Sequence, residues 1–377
     1  MKNLVFIPTY WTFEKEKRES VFDHPILVSK RGTLGRTLRS FQEKKLKDKI
    51  FILPVPIHRN VEIKVKHIVE KFPGLDIDFL TAKDFKGIMK KIRKTSLSRK
   101  FKSQLKLVDY PHVRNFGLIY AIINGYDNII MIDDDEVIED KEYFEKAIDG
   151  MGTSVKGRRL LGKTGYYLNK NGTYKLIQQS PDIRRLWLKE TYINKAIKKA
   201  ISQKERFNNT SIALGGNLVI NKELFYNVPF DPYISRGEDT DYLMNAKHFG
   251  YQFLMDKKLT VIHQPPKRLM PYWAKLRRDI YRFVYAREKL QHLKQDIKDT
   301  EPYPAYLLRK NLILKIIRTN VNYAKHCIEK HRIHDAKEYL LNASEILRAA
   351  KKHANENAKK YLKFQKKWVR FVRELTQ

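Results

Sequence analysis

The chain has 377 residues, 42% hydrophobic and 12% aromatic, with a formal net charge of +34. That hydrophobic content excludes a disordered chain, and the length allows one large domain plus an appendage. The single cysteine, Cys327, excludes an internal disulfide and a cysteine zinc site and suits a reducing compartment, while the charge calls for an anionic partner.

In chain order, Asn3–Ile7 reads as a first strand and Gly32–Lys47 as an amphipathic helix through Leu34, Leu38, Phe41 and Leu46. Ile50–Pro54 is a second strand, Val61–Phe72 a helix closed by Pro73 and Gly74, and Leu75–Leu80 a third strand. A basic segment, KGIMKKIRKTSLSRKFKSQLK, leads to a helix over Val113–Asn124 with Gly125 as its C-cap, then to a fourth strand, Asn128–Ile132. This alternation predicts an α/β fold whose ligands bind beyond the carboxyl ends of the strands. Further strands are expected near Gly165–Tyr167, Leu218–Ile220 and Thr260–Ile262. Beyond residue 270 the texture becomes helical, with Leu340, Ala343, Leu347 and Ala350 at core-facing spacing. Residues 1–270 are therefore expected to form one domain and residues 271–377 a basic α-helical region. No stretch is apolar over the length a bilayer requires, and MKNLVFIPTYW has too short an apolar run for a secretion signal. A cytoplasmic location is expected, with peripheral contact to the inner membrane face left open.

The fourth strand ends in Asp133, Asp134, Asp135 and Glu136. Four adjacent carboxylates repel one another, and a hard divalent cation, Mn²⁺ or Mg²⁺, is the natural counter-charge. A second acidic cluster, Gly237-Glu238-Asp239 with Asp241, opens a helix carrying Tyr242, Ala246 and Phe249 and stopped by Gly250. Taken alone it reads as capping, since carboxylates there complement the helix dipole. A carboxylate at that mouth can also take a proton from an incoming hydroxyl. His263 follows the strand LTVI and would be a third metal ligand if that strand lies beside the one carrying Asp135. Gly215, Gly216 and Asn217 mark a close backbone approach or a plain turn. Arg114, near the start of the helix before the acidic strand, suits either a phosphate or a carboxylate partner.

The order of these motifs resembles the family-2 glycosyltransferases of the GT-A fold. It runs IPTY, GTLGRTLRSF, HVRNFGLIYAIINGYDNIIMIDDDE, LGGNLVI, RGEDTDYLMNAKHFGY and VIH, over roughly the first 270 residues. The resemblance implies a mixed sheet flanked by helices and a metal-dependent transfer of a hexosyl group from a UDP- or GDP-sugar. The acceptor would be a saccharide, a lipid-linked molecule or a small molecule. It further implies Asp135 as metal ligand, Asp133 near the metal or ribose, and His263 completing the metal site. Asp134 belongs to the same donor motif, and Arg114 with Asn115 to the helix before it. Pro8 and Thr9 would lie against the nucleoside, and Gly215, Gly216 and Asn217 would line the sugar and acceptor pocket. Asp239 would be the general base of an inverting reaction, with Glu238 holding the acceptor. Two departures stand out: FILPVPIHRN replaces the usual second-strand aspartate motif, and the segment between Thr9 and Leu34 is longer than the family's usual loop. The nucleotide is thus left unassigned, and a retaining relative acting on a small acid such as glycerate stays open.

A nucleotidyltransferase would need a glycine-rich loop after the first strand, which IPTYWTFEKEKRES lacks. A nucleic-acid-binding protein or nuclease is the reading from another class; against it, the basic residues are spread along the whole chain with no recognised binding motif. The tail offers two readings. Trp368, Phe371 and Val372 beside Lys366, Lys367, Arg370 and Arg373 suit an interfacial helix on anionic lipid, and the same helices suit a bundle packed on the catalytic domain.

Overall fold

Period-two alternation in the first strand sorts its side chains onto two faces, and each face finds its own core. Val5 and Ile7 bury against Leu34, Leu38, Phe41 and Val61 on one side of the sheet. Leu4 and Phe6 bury against Phe116, Ile119 and Leu218 on the other. The structure, a computed structural model, describes residues 1–14, 22–23, 25–176, 187–266 and 270–377. The long sequence segment between Thr9 and Leu34 is therefore described only in part.

The strands in chain order are β1 (Asn3–Thr12), β2 (Ile26–Leu27), β3 (Lys49–Val55), β4 (Ile77–Phe79), β5 (Asn128–Met131) and β6 (Glu136–Val137), followed by β7 (Ser154–Val155), β8 (Arg158–Leu168), β9 (Phe207–Asn209), β10 (Leu218–Asn221) and β11 (Gln252–His263). They order as β4-β3-β1-β5-β10-β8-β11-β6, with β2, β7 and β9 pairing on β1, β8 and β11. The first half is parallel, because amphipathic helices such as Leu34–Glu43 and Arg59–Val69 carry the chain back between strands. β10 enters antiparallel to both β5 and β8, which makes the sheet mixed. This is the helix-flanked mixed sheet with a helical C-terminal region that the GT-A resemblance implies.

The basic segment after β4 forms two helices, Ala82–Lys94 and Arg99–Lys102, the first opened by a capping box between Thr81 and Asp84. The next helix, Tyr110–Ile123, starts three residues earlier than expected, because the Asp109 carboxylate accepts from the His112 amide and Pro111 sits in the first turn.

Of the two readings of the tail, the packed bundle is the one found for its last helix, and one expectation about spacing is reversed. Trp368, Phe371 and Val372, on the helix Tyr361–Thr376, are buried in the core shared with Phe101 and Phe116. The Trp368 indole donates to the Phe225 carbonyl at 2.9 Å. Leu340, expected to face a core, is 47% exposed, whereas Leu347 and Ala350 are buried. A π-helical turn over Asn342–Ile346 inserts one residue of phase between them, so the seven-residue spacing no longer keeps one face. Leu340 joins Leu314, Ile317, Ile328 and Ile333 on the helices Leu312–Glu329 and Ile333–Leu341, five of the eight exposed large hydrophobic residues among those described. No helix among the described residues is long and apolar enough to cross a membrane.

Candidate functional site

Where β5 ends, the acidic run turns through Asp133–Asp135 into β6, and each carboxylate meets a different partner. Asp134 points into the protein: Thr9 Oγ1 donates to its Oδ2 at 2.5 Å, and burial together with Asp135 raises its pKa well above the usual carboxylate range. The Thr37 hydroxyl lies 2.9 and 2.7 Å from the carbonyls of Asp134 and Glu136, fixing the turn to the helix Leu34–Glu43. The buried Glu136 accepts from the Asp133 amide at 3.0 Å and sits where a Cβ on Gly216 would fall, 2.1 Å from its Oε1. Gly216 is thus required by a carboxylate pressed against its backbone.

Asp135 faces the other way. Antiparallel pairing of β6 with β11 sets Glu136 opposite His263, and the Gln264 amide donates to the Asp135 carbonyl at 2.9 Å. The pairing brings His263 Nε2 to 3.5 Å from Asp135 Oδ2, with the imidazole stacked on Tyr167. A carboxylate oxygen and an imidazole nitrogen are both donors a first-row divalent cation accepts. Among the described residues no group of three or more His, Cys, Asp or Glu side chains is arranged to hold a metal. The donor set therefore fits a cation that takes its remaining ligands from water and a bound phosphate, as Mg²⁺-type sites commonly do.

Asp133 is instead claimed by Arg114, whose Nη2 donates to its Oδ1 at 2.6 Å. The same guanidinium reaches Glu238, with Nε 3.8 Å from Oε1. Burial alone would disfavour its charge; Asp133, Tyr10 and Glu238 more than offset this, so Arg114 stays cationic. One arginine, 2% exposed, thus ties together two acidic motifs about a hundred residues apart in sequence. Gly215 leaves room for it, since a Cβ there would lie 2.8 Å from Arg114 Nη2.

The second motif opens the helix Glu238–His248 from a left-handed Gly237, φ 73°. A Cβ on Gly237 would fall 1.9 Å from the Arg282 guanidinium carbon, so conformation and packing both demand glycine. Asp239 is oriented by two amides: Gly215 N donates to Oδ2 at 3.0 Å and Thr240 N to Oδ1 at 2.6 Å. Each oxygen keeps a lone pair for a further proton. Burial and the neighbouring Asp239 push Glu238 up to about 8, against the pull of Arg114.

These groups surround a cavity of about 220 Å³ lined by Arg114, Asp133, Asp134, Asp135, Gly215, Glu238, Asp239 and His263 among the residues singled out from sequence. Pro8, Thr9, Asn115, Gly216 and Asn217 do not line it. Thr9 serves Asp134, and Asn115 exchanges hydrogen bonds with the Phe230 backbone at 2.8 Å each way. Asn217 accepts from the Tyr143 hydroxyl at 2.9 Å and donates to the Leu259 carbonyl at 3.1 Å, which ties the start of β10 to the helix Tyr143–Ile148 and to β11.

Sequence reasoning missed Tyr10, Tyr110, Tyr167, Arg236, Arg282 and Tyr303, all of which line the cavity. Arg236 carried a signal, because it immediately precedes Gly237. Arg282 and Tyr303 carried none, lying in a helical region where arginine and tyrosine are common. Among the described residues Tyr10 Oη, Arg114 Nη1, Arg236 Nη1 and Tyr303 Oη are buried without a hydrogen-bond partner. So many orphaned donors around one cavity suit an oxygen-rich ligand.

No protein-family model matches the chain, and no curated protein does. Solved structures resemble it remotely. A mannosyltransferase from Pyrobaculum calidifontis, solved with GDP-Man and Mn²⁺, is 14% identical over 99% of this chain and 84% of that one, with a TM-score of 0.47. Glucosyl-3-phosphoglycerate synthase from Mycobacterium tuberculosis, solved with Mn²⁺, UDP and phosphoglyceric acid, is 10% identical over 78% of this chain and 79% of that one, with a TM-score of 0.44.

Proposed function

We propose that this chain is a divalent-metal-dependent glycosyltransferase that moves a hexosyl group from a UDP- or GDP-sugar to an acceptor hydroxyl with inversion. The observation that carries the reading is the single buried Arg114 joining the Asp133–Asp135 turn to the Glu238–Asp239 helix mouth around one cavity. Asp135 and His263 would hold the cation, Mn²⁺ or Mg²⁺, and when bound it neutralises the departing diphosphate as a Lewis acid. The protein's own part is to supply a base from a different motif, so that donor and acceptor meet from opposite sides. Asp239, oriented by two amides, takes the proton of the acceptor hydroxyl. Residues 1–270 form the catalytic unit in this reading, and Arg282 and Tyr303 of the C-terminal region complete its cavity wall. Incubation with UDP-glucose or GDP-mannose and Mn²⁺ should release free nucleoside diphosphate, slowly to water and faster with acceptor. Absence of release from every nucleotide-sugar tried, with no binding of any, would sink the reading.

Glu238 gives a pH test. Below about 8 it carries a proton and can donate a hydrogen bond to the acceptor; above that it becomes a second charge beside Asp239. Activity should fall on an alkaline limb near pH 8, and Glu238→Gln, permanently neutral, should flatten that limb. Because the folded pKa lies above the ordinary 4.5, stability falls as pH rises between these values, and the same variant should lose that slope in a melting series. An alkaline limb unchanged in Glu238→Gln assigns it to another group.

A lipid surface, if one is contacted, would meet the exposed apolar residues on the helices Leu312–Glu329 and Ile333–Leu341, which stand among Arg318, Lys325, Lys330 and Lys337. Sedimentation with phosphatidylglycerol vesicles should pull down the protein, and Ile317→Ser with Ile333→Ser should release it. Equal recovery with neutral phosphatidylcholine vesicles would remove the anionic-surface reading.

A further inference from the structure

We infer that the acceptor carries an anionic group, a phosphate or a carboxylate, lodged against Arg236 and Arg282 beside the Tyr303 hydroxyl. The inference rests on the transferase reading of the same cavity and specifies its acceptor. Arg282 projects from the helix Tyr272–His292 into the cavity wall and is 9% exposed. Among the described residues it makes no hydrogen bond or ion pair. Its guanidinium carbon lies 5.0 and 5.6 Å from the ring centroids of Phe283 and Tyr303 and packs flat on the Gly237 backbone. Arg236 uses one nitrogen on Asp23, at 2.6 Å, and its buried Nη1 has no hydrogen-bond partner among the described residues. The Tyr303 hydroxyl beside them is orphaned too. Asp279, whose charge interacts with both arginines, accepts through Oδ2 from Lys189 Nζ at 2.6 Å and Trp187 Nε1 at 3.3 Å, and its Oδ1 makes no hydrogen bond among the described residues.

Buried cationic donors left unpaired are costly, and a fold keeps two of them on one wall where a ligand completes them. The planar fork of a guanidinium matches the oxygens of a carboxylate or phosphate. The same wall discriminates. Asp239 repels an anion that misses the guanidiniums, and an uncharged acceptor leaves Arg282 unpaired. An acceptor that meets both demands has two parts, an anionic group at the guanidiniums and a hydroxyl at Asp239. The C-terminal region would then select the acceptor, since it supplies Arg282 and Tyr303.

The test follows the melting temperature of protein saturated with Mn²⁺ and UDP or GDP, while inorganic phosphate, succinate or glycerol is added. The native protein should show a saturable rise with phosphate or succinate and none with glycerol, by mass action. The anion giving the larger rise separates phosphate from carboxylate. Arg282→Gln, which removes the charge and adds no volume, should need at least about tenfold more anion for the same rise, and Tyr303→Phe should weaken the response without unfolding the chain. Indifference to both anions in protein that nucleotide and Mn²⁺ still stabilise would overturn the inference and leave the transferase reading intact. An equal response in both variants would overturn it as well. An anion response lost in Arg282→Gln, in protein that no nucleotide stabilises, would leave the anion site standing without the transferase reading.

Discussion

Asp135→Ala is expected to lower the transfer rate by about a thousandfold or more, since the charge stabilisation a bound cation supplies amounts to several kcal/mol. The Asp135 side chain lies 3.5 Å from His263 Nε2, and the Asp135 carbonyl that accepts from the Gln264 amide is retained in alanine. The loss should therefore come with a native melting temperature in the absence of ligand. It should also abolish Mn²⁺-dependent binding of nucleoside diphosphate. Full activity at saturating Mn²⁺ would remove Asp135 from the metal site. His263→Ala provides the graded comparison: a weaker affinity for Mn²⁺ with a smaller fall in rate, because one of two protein ligands remains.

Asp239→Asn is expected to lower kcat by about 10²- to 10⁴-fold, the usual worth of a positioned general base, with donor affinity little changed. The amide is nearly isosteric but cannot take a proton. It also turns an NH₂ group toward either Gly215 N or Thr240 N, where the carboxylate accepted two hydrogen bonds. That mismatch costs about 1–3 kcal/mol of stability, so the variant should be assayed well below its own melting temperature. Retained turnover in a folded Asp239→Asn protein would exclude Asp239 as the base and favour a retaining reaction.

The two acidic motifs were legible in the sequence because each follows from a local rule. A strand of Ile and Met must end where its carboxylates emerge, and a glycine before Glu238 and Asp239 must serve a turn. The partnership between the motifs was not legible. Arg114 could be seen at the start of its helix, but whether it met a phosphate or a carboxylate depended on the packing of Tyr110–Ile123 across β1 and β5. Thr9, Asn115 and Asn217 show the opposite case. Polar residues beside a site look like ligands in one dimension, yet here each satisfies a buried backbone or carboxyl group. The C-terminal helices misled for a third reason. Helical spacing alone placed Leu340 with Leu347, and one π-helical turn moved Leu340 to the surface; for Trp368 the basic surroundings left a membrane face and a packed bundle both open, and the residue fills the core. Arg282 and Tyr303 reach the cavity through a tertiary contact between distant segments, and no local pattern records such a contact.

The most direct test of a metal-dependent nucleotide-sugar site is calorimetric titration of UDP and GDP into the native protein with and without Mn²⁺, repeated with Asp135→Ala. The site described here predicts that one nucleotide binds in the presence of Mn²⁺, binds at least tenfold more weakly without it, and loses the metal dependence in the variant. Binding of equal strength with and without Mn²⁺, or no binding of either nucleotide, would contradict it.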